Sequence, residues 1–254
     1  MVSADWRRRT VVAYLDEPPF FSPTPGGDPI GCDIELTHTV LGVLGVERIE
    51  FVLTTFGELI PGLLDGRWHV NTPIFITAER AQVVDYSSPV WAAGDGFIVR
   101  AADGRDFSSY EAIAADGTVR LAVVTGQVQH TTASAAGVPP ERIAEFADQD
   151  AAVGAVADGR VDAAVSTAPG NAAYLRRAAD PRLIAVADSL ADRRGDVPLG
   201  AFSFRTESSD LSAAFDEALR HYLGTPAHLQ MMGRYGFSVE DLRPALTAAG
   251  VLQR

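Results

Sequence analysis

Strand-like and helix-like stretches alternate along almost the whole chain, and that rhythm constrains the fold more than any other feature. Short apolar, β-branched runs at Thr10–Leu15, Glu50–Leu53, Val70–Ile76, Phe97–Arg100, Val119–Val124, Val161–Val165, Leu183–Val186 and Leu199–Phe204 read as strands. Helical spacing of apolar residues starts at Asp33, with Ile34, Val40, Leu41 and Leu44 on one face. It returns after Thr125-Gly126 through Ala136, and over Asp150–Asp158, Gly170–Arg177, Leu211–Leu223 and Ala227–Met232. Such alternation predicts an α/β fold with largely parallel sheets. Thr55 and Glu58 have capping-box spacing ahead of Leu59-Ile60, although Pro61 predicts a late or kinked first turn. Thr77 is expected to cap a short helix over Ala78–Val83, with Glu79 in its first turn. The rhythm begins afresh after Asp103, so two similar lobes are expected, with a crevice beyond the carboxyl ends of the strands.

Charge removes several function classes. The 254 residues carry a formal net charge of −12, which repels phosphate backbones and anionic lipid, so neither nucleic acid nor a membrane surface is an expected partner. No lysine occurs, which excludes Schiff-base chemistry and a P-loop lysine. No stretch is apolar enough over sufficient length to span a bilayer. The opening Met1–Arg9 carries Arg7, Arg8 and Arg9 without the apolar run of a signal peptide.

Enzyme constellations are missing as well. His38, His69, His130, His221 and His228 are scattered, none at zinc-site spacing, so no metal and no cofactor is expected. His221 and His228 read as solvated helix residues, and the lone Cys32 as a small half-buried side chain. There is no G-x-S-x-G elbow, no CxxC pair and no phosphate-cradling glycine loop. Phe20, Phe56 and Phe75, by contrast, each stand where a strand gives way to a loop or helix start. One such ring alone is ordinarily the rim of a core. Three beside the loop residue Glu17 make a cage for a flat or cationic ligand, each good contact contributing about 0.5–2 kcal/mol. Arg80 has two readings, a surface partner for Glu79 or Asp85, or a bidentate clamp on a carboxylate.

Four segments, in order, resemble the amino-acid-type solute-binding proteins of ABC importers: Gly31-Cys32-Asp33-Ile34-Glu35, Phe56-Gly57-Glu58-Leu59-Ile60-Pro61-Gly62-Leu63, Phe75-Ile76-Thr77-Ala78-Glu79-Arg80 and Asp85-Tyr86-Ser87-Ser88-Pro89. The likeness runs from Thr10 to Phe237. Within the family, Glu17-Pro18-Pro19-Phe20, Leu59–Leu63 and Phe75-Ile76-Thr77 are similar to the ectoine/hydroxyectoine-binding branch. The resemblance implies a type II periplasmic-binding-protein fold: two α/β lobes joined by two crossing strands, with a ligand cleft between them. Residues 1–99 with 203–254 would form one lobe and 100–202 the other, hinged near Ile98–Arg100 and Ala201–Phe204. The chain departs from the family pattern at Trp68-His69 and at Pro73.

Carried over by position, Arg80 would grip the ligand carboxylate, Phe20, Phe56 and Phe75 would enclose its cationic body, and Glu17 would accept from a ring nitrogen. In the second lobe, Thr125-Gly126-Gln127-Val128-Gln129 matches the family's helix-start loop, so Gly126, Val128 and Gln129 are expected at the carboxylate. Members that bind free α-amino acids place an acidic residue a few positions after a Gly-Arg-x-Asp segment. Here Gly159-Arg160-Val161-Asp162 leads to Ser166 and Thr167, neither charged, and Thr167 is the expected contact. A buried primary ammonium without an anionic partner or several acceptors costs several kcal/mol. A delocalised or quaternary cation can rest on aromatic faces instead. The expected partner is therefore a small zwitterionic carboxylate, ectoine- or betaine-like or a modified amino acid, bound without chemistry by closure of the lobes.

An ABC importer permease is the further partner the resemblance implies, with a monomeric receptor outside the cytoplasm, or inside it if Met1 is the native start. Two other functions stay open on this fold: a cyclohexadienyl-dehydratase-like enzyme with Glu17 or Asp16 as general acid, and a cytoplasmic ligand-sensing module.

Overall fold

The computed structural model of the chain describes residues 5–189 and 197–252. The chain folds into two compact units, one of residues 1–54, 58–92 and 198–254, the other of residues 55–57 and 93–197.

In the first unit β1 (Thr10–Tyr14) leads through a short β2–β3 pair (Ser22–Pro23 and Pro29–Ile30) into α1 (Cys32–Val43). Then follow β4 (Ile49–Leu53), α2 (Leu59–Leu64), β5 (Val70–Phe75), and the two-residue strands β6 (Asp85–Tyr86) and β7 (Trp91–Ala92). The second unit holds β8 (Asp95–Arg100), α3 (Tyr110–Ala115), β9 (Leu121–Val124), α4 (Gln129–Ala135), β10 (Ile143–Phe146), α5 (Gln149–Ala157), β11 (Ala163–Thr167), α6 (Ala168–Ala178) and β12 (Leu183–Ala187). The chain returns to the first unit with β13 (Leu199–Phe204), α7 (Ser209–Tyr222), α8 (Pro226–Arg234) and α9 (Val239–Ala248).

The first sheet runs β4-β1-β5-β13-β6, with β7 also on β13, and the second β10-β9-β11-β8-β12. The α/β class expected from the rhythm is the one found, but the sheets are mixed rather than largely parallel. β1 is parallel to β4 and β5, and β9 to β10 and β11. β13 is antiparallel to β5, β6 and β7, and β8 to β11 and β12. An apolar run has the same composition whichever way its neighbour points, so direction is invisible in composition.

Period-two alternation builds the second unit's core on both faces of its sheet. Phe97, Val99, Leu121, Val123, Ala163 and Val165 pack on one side with Tyr110 and Ile113. Ile98, Ala122 and Ala164 face the other, against Val153 and Val156 of α5. Asp162 closes this unit's lower edge: Oδ1 accepts from Arg100 and Arg105, and Oδ2 from the Arg120 N–H at 2.8 Å. Asp162, the acid of the Gly-Arg-x-Asp segment, is thus structural.

Both departures from the family pattern have local causes. Trp68 donates from Nε1 to Asn71 Oδ1 at 2.6 Å and lies on Gly62, where a Cβ would fall 2.1 Å from the indole. His69 is buried, and its Nδ1 accepts the Val11 N–H at 2.9 Å. Pro73, in a central strand, stands where the β13 register slips between Ala201 and Ser203, a bulge that asks no N–H of it. The Thr55/Glu58 box does not form. A 3-10 turn over Phe56–Glu58 precedes α2, whose cap position is Glu58 without a side-chain bond, and Pro61 is tolerated inside that first turn. The helix expected over Ala78–Val83 is one 3-10 turn, Arg80–Gln82. α3, β10 and α9 lie where the rhythm predicts no element; α9 starts with a capping box of Ser238 and Asp241.

His228 and Cys32 also differ from expectation, since both are buried. His228 Nδ1 accepts the Gly224 N–H at 3.2 Å, and burial pulls its pKa from 6.5 to about 4. Burial likewise raises the Cys32 thiol well above its ordinary range. Beside it Asp33, fully buried, is pushed from 3.8 up to about 8 by desolvation, against the lowering effect of the Trp91 hydrogen bonds. These groups set opposite pH trends. Native Asp33 keeps a proton that the unfolded chain releases, so stability falls as pH rises from about 4 to about 8. Native His228 refuses a proton that the unfolded chain takes, so stability rises with pH between about 4 and 6.5. Each contributes a slope of about 1.4 kcal/mol per pH unit at most. They oppose one another below pH 6.5, and Asp33 acts alone above it. Urea melts at stepped pH are expected to show a near-level stability from 4.5 to 6.5 and a decline toward 8. Asp33→Asn should abolish the decline and expose a loss on acidification; an unchanged profile in that variant would refute the assignment.

Candidate functional site

The carboxyl ends of β1 and β5 carry the first unit's candidate residues. After β5, Thr77 Oγ1 accepts the Arg80 N–H at 3.1 Å, so the expected cap exists within the shorter turn. That turn directs the Arg80 side chain back along the strand, where Nη1 donates to the Phe75 carbonyl at 3.0 Å. Tyr86 Oη donates to the same carbonyl at 3.3 Å. Ser87 Oγ accepts the Phe202 N–H at 3.2 Å and ties the Asp85–Pro89 segment to β13. The Thr-x-x-Arg and Asp-Tyr-Ser-x-Pro segments are therefore one scaffold whose product is a fixed guanidinium. Arg80 is half-buried, and desolvation lowers its pKa from 12.5.

Phe20 and Phe75 meet on Trp91. Phe75 stands edge-on to it at 5.5 Å and 79° between planes, and Phe20 is tilted at 4.7 Å and 43°. Phe237 backs Phe20 at 5.7 Å. Phe20, Phe75 and Trp91 are 3, 8 and 4% exposed, so they form a closely packed wall with little open surface. Glu17 sits half-buried on the loop before Phe20. Its N–H donates to the Phe21 carbonyl at 2.9 Å, and its own carbonyl accepts from the Phe20 N–H at 3.1 Å. Asp16, next to it, accepts from Ser22 Oγ at 2.8 Å.

The second unit holds the other candidates. Gly126 turns with φ 83°, a left-handed conformation that favours glycine, between a Thr125 N–H bonded to the Phe146 carbonyl and a Gln127 N–H bonded to the Val124 carbonyl. Phe56 groups here, not with the other two phenylalanines: a Cβ on Gly126 would lie 3.5 Å from its ring. Val128 is the backbone cap of α4. Gln129 is buried, its Nε2 donating to Asp95 Oδ1 at 2.8 Å, while Asp95 Oδ2 accepts from Tyr110 Oη at 2.7 Å. Thr167 caps α6, its Oγ1 accepting the Gly170 N–H at 3.2 Å, and pairs with Asp95 across the β11–β8 ladder.

Sequence reasoning passed over Trp91 and Asp33. Trp91 Nε1 donates to both Asp33 carboxylate oxygens at 3.2 Å. A signal for Asp33 existed: with Thr37, Val40 and Leu41 it falls on the buried stripe of α1, the wrong face for a solvated acid. Among the described residues no group of three or more His, Cys, Asp or Glu could hold a metal ion, and no helix is long and apolar enough to cross a membrane.

Known proteins resemble this chain at three levels. Residues 10–235 match the family model of the bacterial extracellular solute-binding proteins, family 3. The chain is 36% identical over 236 residues, 91% of its own length and 78% of the relative's, to the "Probable amino-acid ABC transporter periplasmic-binding protein y4tE" of Sinorhizobium fredii. Among solved structures, EhuB in complex with hydroxyectoine superposes with TM-score 0.85 at 23% identity, over 97% of this chain and 95% of that one. An ancestral arginine-binding protein bound to arginine gives 0.77 at 25% identity, over 90 and 98%.

Proposed function

This chain belongs to the bacterial extracellular solute-binding proteins of family 3, and we propose that it is the receptor of an amino-acid-type ABC importer whose solute is a small zwitterionic carboxylate of the ectoine or betaine kind. The observation that carries the reading is Arg80, braced on the Phe75 carbonyl where the Phe20–Trp91–Phe75 wall ends. Its planar fork suits a carboxylate, and ring faces suit a cation that has no N–H groups to satisfy. Ser166 and Thr167, uncharged where relatives that bind free amino acids carry an acid, support the same choice. Glu17, Phe56, Gly126, Val128, Gln129 and Thr167 complete the proposed contact set. Thr167 and Gln129 would contribute by holding the second unit's loops in shape, since both side chains are engaged there.

The Sinorhizobium relative is named as the binding component of such an importer, which supports a permease partner and a place outside the cytoplasm. A binding role rather than catalysis accords with the family.

Calorimetry against ectoine, hydroxyectoine, glycine betaine, arginine and glutamine tests the reading. Dissociation constants at or below about 10 μM, or −7 kcal/mol, are expected for at least one of the first three, with the two free amino acids at least 100-fold weaker. Tight binding of a free amino acid alone would overturn the choice of ligand.

A further inference from the structure

Resting on the reading of Arg80 and the aromatic wall as the solute site, we propose that Trp91 and Asp33 are positioning residues that give the site its preference for a delocalised cation over a neutral group of the same shape. Trp91 is fixed on three sides. Phe20 and Phe75 lean on it at 4.7 and 5.5 Å. Its six-membered ring lies flat on Gly200 of β13, where a Cβ would fall 2.2–2.4 Å from three ring carbons, so only glycine admits it. Its N–H is held between both oxygens of Asp33. Asp33 in turn belongs to the first turn of α1, and its own N–H donates to the Phe20 carbonyl at 3.0 Å. A closed circuit results: Phe20 to Asp33 through the backbone, Asp33 to Trp91 through the indole N–H, and Trp91 back to Phe20 through ring contact. The circuit ties the Phe20 ring to Trp91, and Trp91 in turn backs the Phe75 ring.

Attraction of a cation to a ring depends on how the face is presented, and one well-placed face is worth a factor of about 2 to 30 in affinity. Loss of the support should therefore cost selectivity for charge, whereas a merely structural defect would weaken every ligand alike.

Glycine betaine and 3,3-dimethylbutanoate separate the two. They share shape and carboxylate and differ only in nitrogen against carbon at the branched centre. The ratio of their dissociation constants reads the cation's contribution alone, in protein whose fold is checked by circular dichroism. Wild type is expected to favour betaine at least tenfold. Trp91→Leu should bring the ratio below about three, and Trp91→Phe, the milder change, should fall between. Asp33→Ala, which takes away the acceptor of the indole N–H, should lower the ratio toward that of Trp91→Leu. A Trp91→Leu protein that retains the tenfold preference overturns the proposal and leaves the solute reading standing. A wild type that binds neither compound, or both equally, overturns the proposal; the solute reading falls with it only if ectoine and hydroxyectoine also fail to bind. Arg80→Ala tells the grips apart, because it should weaken the two ligands by the same factor.

Discussion

Replacing Arg80 with alanine is expected to weaken binding of the carboxylate solute at least about 30-fold while the protein stays folded. A charged hydrogen-bonded partner removed from a desolvated site costs about 2–5 kcal/mol, which is a factor of about 30 to 5,000. The fold should survive because losing the guanidinium's bond to the Phe75 carbonyl costs about 1–3 kcal/mol. That carbonyl also keeps Tyr86 Oη as a donor. Arg80→Lys should lie between, since an ammonium keeps the charge and forfeits the planar fork. Titration calorimetry beside a thermal melt gives both quantities. Unchanged affinity in Arg80→Ala would make this arginine a purely structural brace.

Gly31→Ala is expected to be the most damaging single methyl group in the first unit. Helix α1 has no side-chain cap; its first two N–H groups, of Cys32 and Asp33, instead donate to the Pro19 and Phe20 carbonyls at 3.1 and 3.0 Å. That closure brings the site loop against the helix start, with Gly31 at φ 134°. A Cβ there would lie 2.1 Å from the Phe20 carbonyl oxygen and 2.5 Å from its carbon, both backbone atoms. Strain of about 1–3 kcal/mol at that φ adds to a similar cost for pushing the loop away, about 2–6 kcal/mol together. At about 2–4 °C per kcal/mol for a chain of this size, melting should fall by roughly 10 °C. Gly27→Ala isolates the first part, because Gly27 has φ 89° with nothing within 4 Å of its added carbon; it should lose only about 1–3 kcal/mol. Equal melting points for the two alanine variants would show that the close approach to Phe20 carries no cost.

Much of the architecture is legible in the residues, for a physical reason. β1 and β9 are near-continuous apolar runs because both faces of each are covered, and such runs stand out. Strand direction and the short strands β6 and β7 are not legible, since two residues carry no period and pairing depends on a partner more than 100 residues away. Local propensity misjudged Ala78–Val83 for a related reason: it has a helix-starting motif but too little apolar surface to extend a helix, whereas at Thr55–Glu58 a 3-10 turn takes the place of the capping box and leads into α2. The solvated reading of His228 failed because a Thr-Pro turn looks like a surface feature, whereas Thr225 caps a helix whose third residue points inward.

At the site, position along the chain marked Phe20, Phe75 and Arg80, and in one unit the structure sets Phe20 and Phe75 against Trp91 and Arg80 on the Phe75 carbonyl. Phe56, equally conspicuous, groups with Gly126 in the other. What sequence position cannot express is the Asp33–Trp91 bond, formed across 58 residues and recognisable only once both side chains are seen to be buried. An acid on an apolar helix face is the kind of local conflict that marks a specified contact.

The most direct measurement is the pair of distances from the Arg80 guanidinium nitrogens to the solute carboxylate, in a crystal of the protein with the tightest-binding compound of the panel. Two parallel N–H···O contacts of about 2.7–2.9 Å are expected, with the positive end of the solute against the ring wall. A carboxylate seated elsewhere, out of hydrogen-bond reach of the Arg80 guanidinium, would contradict the assignment.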